Sequence, residues 1–218
     1  MKAHARLCAG TAVALATFGC SARPTKSTTV YLNFSDGEQS IVQAERDDAT
    51  RNQSRLCQAD PYLAWTGGED CGDRDSCRSE VVALVREHWR PFDVEFTLDR
   101  PSDDYSMVMI GPSSDTCAFG AQGVADVDCE NETTENVAFA FECAGPTDIC
   151  AGVISHELGH TLGLDHVADP LDLMRGGIRA GESLQFQDRV RPMTNDECGA
   201  ESQNSFLQLT ELLGPAMR

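Results

Sequence analysis

The sequence predicts a single mixed α/β (α+β) domain, a sheet with helices packed on it, behind an export leader. Three observations carry that prediction. Short β-branched runs alternate with strongly helical stretches. Forty-one per cent of the 218 residues are hydrophobic, enough for a packed core. Ten cysteines follow or lie within an apolar N-terminal run. The net charge of −18 argues against a nucleic-acid partner, because phosphate binding needs a basic face.

Residues 1–20 read as a signal peptide: a short positive start, then the apolar run 7–19, too short to span a bilayer. Two processing routes stay open. Cleavage before Cys20 would leave a lipidated cysteine and membrane attachment as a surface or outer-membrane lipoprotein. Cleavage after Ala22 would give a secreted chain. Residues 21–27 form a polar linker, and 28–218 form the domain. No later stretch is apolar and long enough for a membrane helix. Past the leader stand Cys57, Cys71, Cys77, Cys117, Cys129, Cys143, Cys150 and Cys198. An even set in an exported chain reads as up to four disulfides, and the spacings lack a CxxC metal pair. The pairing is left open, with Cys71–Cys77 and Cys143–Cys150 as short-loop candidates.

The elements follow in order. Residues 28–35 are β-branched and aromatic and read as a strand. Residues 36–40 read as a turn, and 44–61 and 67–77 as polar loops. Residues 79–89 place Val81, Val82, Leu84, Val85 and Trp89 at helical spacing, with Ser79 or Ser76 as the cap and Pro91 as the stop. Residues 92–98 alternate strictly and read as a half-buried strand. Residues 105–111 read as a buried strand, 112–135 as irregular, and 136–142 as another strand. A helix is expected over 145–163, a loop over 164–193, and a last helix over 194–214, ending at Gly214-Pro215. No internal repeat is present.

Three of the five histidines fall within the eleven residues from His156 to His166. His156 and His160 share one face of the expected helix, about one turn apart. Two imidazoles so placed can hold a Zn2+ ion, and a catalytic zinc needs a third protein ligand and an open position. Gly163 can end the helix and turn the chain back, bringing His166 to the metal. Glu157 adjoins a ligand and need not bind the metal. It could take a proton from a zinc-bound water, whose pKa zinc lowers from 15.7 toward roughly 7, and pass it to the leaving amine of a peptide.

The run His156-Glu157-Leu158-Gly159-His160-Thr161-Leu162-Gly163-Leu164-Asp165-His166 resembles the metzincin zinc metallopeptidases and, within them, the matrixins. The resemblance implies a metzincin-like zinc-protease fold: a twisted mixed sheet with an active-site helix and a C-terminal helix. It implies one catalytic zinc on His156, His160 and His166, Glu157 as general base, and Met174 in the Met-turn beneath the metal. It also implies an acid at the start of the closing helix, Asp196 or Glu197, bracing that turn. Extended peptides would lie along an edge strand, by position near 136–142 with 123–128 nearby. The chain departs from matrixins in its eight downstream cysteines, in Val167 after the third histidine, in the sequence RGGI after Met174, and in lacking a propeptide cysteine switch. It reads as a bacterial-type, cysteine-rich exported relative. Matrixins also carry structural Ca2+. The acidic run 125–136 could hold calcium, but it lacks EF-hand spacing and reads equally as a solvated loop. Asp165 could brace a ligand histidine or face solvent. His88 reads as a partly buried structural residue.

The expected function is an exported zinc endopeptidase, monomeric, acting on peptide or protein substrates. The alternatives are a zinc-containing binding protein without general proteolysis, and a narrow-specificity processing peptidase.

Overall fold

Alternating apolar residues in the strands divide the core into two layers. A computed structural model describes residues 29–35, 39–62, 64–111, 117, 120–129, 131–195 and 197–216. The expected leader and linker, with Cys20, lie outside the described residues. In chain order the elements are β1 (Thr29–Asn33), β2 (Gln39–Gln43), β3 (Gln53–Ser54), β4 (Ala59–Tyr62), α1 (Arg74–Trp89), β5 (Glu95–Thr97), β6 (Ser106–Ile110), β7 (Gly123–Val124), β8 (Val137–Ala140), α2 (Thr147–His160), β9 (Arg191–Pro192), β10 (Ser202–Gln203) and α3 (Ser205–Leu213). No helix among the described residues is long and apolar enough to cross a membrane.

The main sheet runs β5-β1-β6-β8-β7. Its pairs are parallel except β7–β8, which is antiparallel. Both faces are covered, as a mostly parallel sheet requires. Val30, Leu32, Val108, Ile110, Ala138 and Ala140 face the helices. Met107, Met109, Val137 and Phe139 face the other way, onto Ile41, Ala49, Cys57 and Ala59. Each large side chain so buried contributes about 1.5–3 kcal/mol.

That second layer was hidden in the sequence. The residues read as a turn and a polar loop contain β2, β3 and β4, a small sheet of order β3-β2-β4. In β2 only Ile41 is buried, so no alternation signals a strand.

Helix α1 begins five residues before the expected Ser79. Its cap is Asp73, whose Oδ1 accepts from the amides of Asp75 and Ser76, both at 3.0 Å. The first turn is polar and carries no apolar period. Strand β5 is shorter than the expected 92–98. The Asp93 amide donates to Gly214 O at 3.0 Å instead of joining the sheet, and Leu98 at the other end is exposed. The last helix is shorter still. Residues 194–204 are irregular apart from β10, and α3 starts after Asn204, whose Oδ1 accepts from the Leu207 amide at 2.9 Å. Cys198 is bridged to Cys129, and Gly199 takes φ +69°, a combination no helix accommodates.

Four disulfides join Cys57–Cys117, Cys71–Cys77, Cys129–Cys198 and Cys143–Cys150, so both short-loop candidates are paired. They point to an extracellular or exported chain. Helix α2 starts at Thr147, with Pro146 before it and no cap of its own. Asp70, beside the Cys71–Cys77 bridge, fills that role: both carboxylate oxygens lie 3.2 Å from the Thr147 amide nitrogen.

His88 sits where α1 meets α2, its Nδ1 2.9 Å from Ser155 Oγ. Burial lowers its pKa below the usual imidazole value. The folded chain therefore binds fewer protons there than the unfolded chain. This contribution is present above about pH 6.5 and is lost as the pH falls through the folded value. His88→Gln should flatten the fall in melting temperature between pH 8 and 5 relative to the wild type. Parallel curves would count against this role.

Candidate metal centre

Helix α2 is buried from Cys150 to its end, polar residues included. His156 and His160 lie one turn apart on the same side. Thr161 closes the helix, and Gly163 turns the chain at φ +80°. A Cβ at Gly163 would also stand 3.0 Å from Asp128 O. His166 then returns to the helix face. The Nε2 atoms are 2.9 Å apart for His156 and His166, 3.1 Å for His156 and His160, and 3.2 Å for His160 and His166.

The opposite ring nitrogens define what those atoms are. His156 Nδ1 lies 2.6 Å from Leu173 O, and His160 Nδ1 lies 2.7 Å from Leu164 O. A carbonyl can only accept, so both Nδ1 carry the proton and both Nε2 present lone pairs. Burial, with the neighbouring histidines adding to it, pushes His156 well below the usual imidazole pKa and His160 down to about 4. Burial also lowers His166. Neutral lone pairs crowded at this distance repel unless a cation lies among them. Their separations approach the roughly 3.3 Å expected for nitrogens about 2.0–2.1 Å from a tetrahedral zinc ion. Among the described residues, this is the group of three or more His, Cys, Asp or Glu side chains that could hold a metal.

Glu157 is buried beside the triad, and burial raises its carboxyl well above the usual range. A bound cation would draw it back down. Glu157 rests on β7: a Cβ on Gly123 would lie 2.5 Å from Glu157 Oε1. Met174 lies beneath the same helix, where a Cβ on Gly159 would meet its Sδ at 2.5 Å. Among the described residues, Asp172 braces that turn. Asp172 Oδ1 accepts from the Met174 amide at 2.9 Å and Oδ2 from the Gln187 amide at 3.2 Å. Glu197 instead lines the cleft, and Asp196 lies outside the described residues. Asp165 is fully buried, accepting from the His166 amide at 2.6 Å and the Glu197 amide at 3.0 Å.

A cleft of about 380 Å³ opens over the triad, walled by Val124, Val153, Gly176, Gly177 and Ile178. Its strand is β7, the sheet edge, rather than 136–142, which pairs on both sides as β8. Gln122 fastens the far wall. Its Oε1 accepts from the Ile178 amide at 2.7 Å, and its Nε2 donates to Ile178 O at 2.9 Å. Gln122 and Gly123 carry no period or motif and were not anticipated. Calcium finds no support in the acidic run. Asp128 accepts from the amides of Glu132 and Thr133, both at 3.0 Å, and Asp126 is paired with Arg55 at 2.5 Å.

Residues 80–167, from α1 through the third histidine, match the family model described as Metallo-peptidase family M12B Reprolysin-like. No curated protein matches the chain. The match and the three converging histidines support a zinc metallopeptidase with a metzincin-like fold. They do not single out the matrixins; the matching family is reprolysin-like.

The contact under the helix makes a prediction. Gly159→Ala gains up to about 1 kcal/mol of helix propensity and costs about 1–3 kcal/mol in overpacking against buried Met174. Urea unfolding should show net destabilisation. Gly72→Ala, with nothing within 4 Å of the added Cβ, should stay within about 0.5 kcal/mol of wild type.

Proposed function

We propose that the chain is an exported zinc endopeptidase in which His156, His160 and His166 hold the metal and Glu157 is the general base. The observation that carries this reading is the convergence of three histidine Nε2 atoms, with a buried carboxylate beside them, on the floor of an open cleft. Zinc bound there supplies Lewis-acid polarisation of a carbonyl and a lowered pKa for water.

The chain's own residues do the rest. The free edge of β7 offers backbone groups to an extended peptide, placing its scissile bond over the triad. Glu157 accepts a proton from the attacking water as the new carbon–oxygen bond forms. It delivers that proton to the amide nitrogen as the carbon–nitrogen bond breaks, and ends as the carboxylate it began as. Gly123 keeps the space that Glu157 occupies. The apolar walls at Val124, Val153 and Ile178 receive an uncharged side chain, while Glu197 and Glu157 disfavour acidic ones.

The test is cleavage of an unfolded protein by the oxidatively folded, zinc-loaded chain. Glu157→Ala should lower the rate by about 10²–10⁴-fold with zinc still bound, and a chelator should abolish cleavage. Gly123→Ala should also retain one zinc yet lose about 10–100-fold in turnover, because it displaces the base. A wild type that binds zinc and cleaves nothing across a broad panel would overturn general proteolysis.

A further inference from the structure

The three histidines are not held alike. His156 and His160 are fixed by the helix and by carbonyls next to it. His166 stands beyond the helix, and much of its bracing comes from the irregular stretch 191–204. The Thr194 amide donates to His166 O at 2.9 Å. The Asn195 side-chain nitrogen, Nδ2, lies 3.0 Å from His166 Nδ1. The Glu197 amide donates to Asp165 Oδ2 at 3.0 Å. Gln203 accepts from the Asp165 amide at 2.8 Å and donates to Asp165 O at 2.9 Å. For His166 Nε2 to present a lone pair, Nδ1 must carry the proton; with the Asn195 amide turned over, which exchanges its nearly isosteric N and O ends, the oxygen stands where the nitrogen is and accepts that proton.

This stretch has little regular structure of its own. Thr194, Asn195 and Glu197 are exposed. Its covalent anchor is Cys198, bridged to Cys129 in the loop after β7. That loop touches the end of α2, where the Asp128 amide donates to His160 O at 3.1 Å. Each of the other three bridges has at least one buried cysteine, whereas Cys129 is exposed and Cys198 is not buried.

We propose that Asn195, held in place by the Cys129–Cys198 bridge, is the positioning residue for the third ligand, so that opening this one bridge loosens the metal. The inference rests on the reading of the three histidines as zinc ligands. Opening is a two-electron exchange with a dithiol: the dithiol becomes a disulfide, and Cys129 and Cys198 become thiols. The segment carrying Asn195 then leaves Nδ1 without its acceptor, and His166 loses its fixed tautomer and ring orientation.

The experiment measures zinc affinity of the full, oxidatively folded chain by competition with a chromophoric chelator. Asn195→Ala should weaken zinc binding about 10–100-fold. Asn195→Asp, which keeps an acceptor oxygen, should stay within about threefold of wild type, a rescue that a merely structural role would not show. The Cys129→Ser/Cys198→Ser double variant should weaken binding as Asn195→Ala does. If it fails to fold, brief dithiol treatment of the folded wild type, with alkylation to map the opened bridge, replaces it. Unchanged affinity in Asn195→Ala, or equal loss in Asn195→Asp and Asn195→Ala, overturns the inference alone. A wild type that binds no zinc overturns the metal reading and this inference with it.

Discussion

The structure around α2 depends on one constraint: three imidazole nitrogens meet within about 3 Å of one another. Helix pitch brings two of them together and leaves the third to a turn. Fixing their tautomers needs an acceptor behind each ring, and two of these are main-chain carbonyls, Leu173 O and Leu164 O. Leu173 belongs to the same turn as Met174, so the strap that orients His156 also packs beneath the helix. That packing works only because Gly159 has no Cβ, just as Gly123, without one, leaves room for Glu157. The absence of a side chain at two positions is thus as much a part of the site as its donors.

Burial makes the donors and exacts a cost. The histidines are driven neutral and Glu157 toward its protonated form. Each shift is the desolvation penalty of a group poised for a charge that the metal would supply. Metal binding would therefore be coupled to the stability of this region. The disulfides also constrain the unfolded chain, whether or not metal is bound. In the chain-entropy picture, a bridge spanning 69 residues, as Cys129–Cys198 does, is worth about 4 kcal/mol, against about 2 for the seven of Cys143–Cys150.

What the sequence made legible was local. His156, Glu157, His160, Gly163 and His166 are related by helix pitch and one turn, so their spacing alone states the geometry. Met174 follows closely enough to be placed with them. Strands β1, β6 and β8 are dense in β-branched or aromatic residues and stood out. Gly123, Gln122, Asn195 and Gln203 did not, because each reaches the site across tens of residues through a contact that leaves no period. The small sheet β3-β2-β4 was invisible for a related reason. Strands β2 and β3 bury one residue each where alternation needs several. The last helix was read too long because Thr194 and the acids after it imitate a helix start, while Gly199, at φ +69°, takes a conformation no helix contains.

The acidic composition takes a different meaning once the irregular segment 164–204 is considered. Three of its carboxylates, Asp165, Asp169 and Asp172, are buried. Each accepts backbone amides that no strand or helix satisfies: His166 and Glu197 on Asp165, Leu171 on Asp169, Met174 and Gln187 on Asp172. Asp169 is further paired with Arg191 at 2.6 Å and Arg189 at 3.3 Å. A loop that must carry His166 and a pocket wall cannot be a regular element, since neither helix nor strand gives those directions. Its amides still need partners. Short carboxylates at every third or fourth position supply them, in the place where secondary structure would otherwise stand. Part of the net charge of −18 is therefore scaffold rather than surface. The same stretch that looks least structured from its sequence is held by the largest share of buried acids.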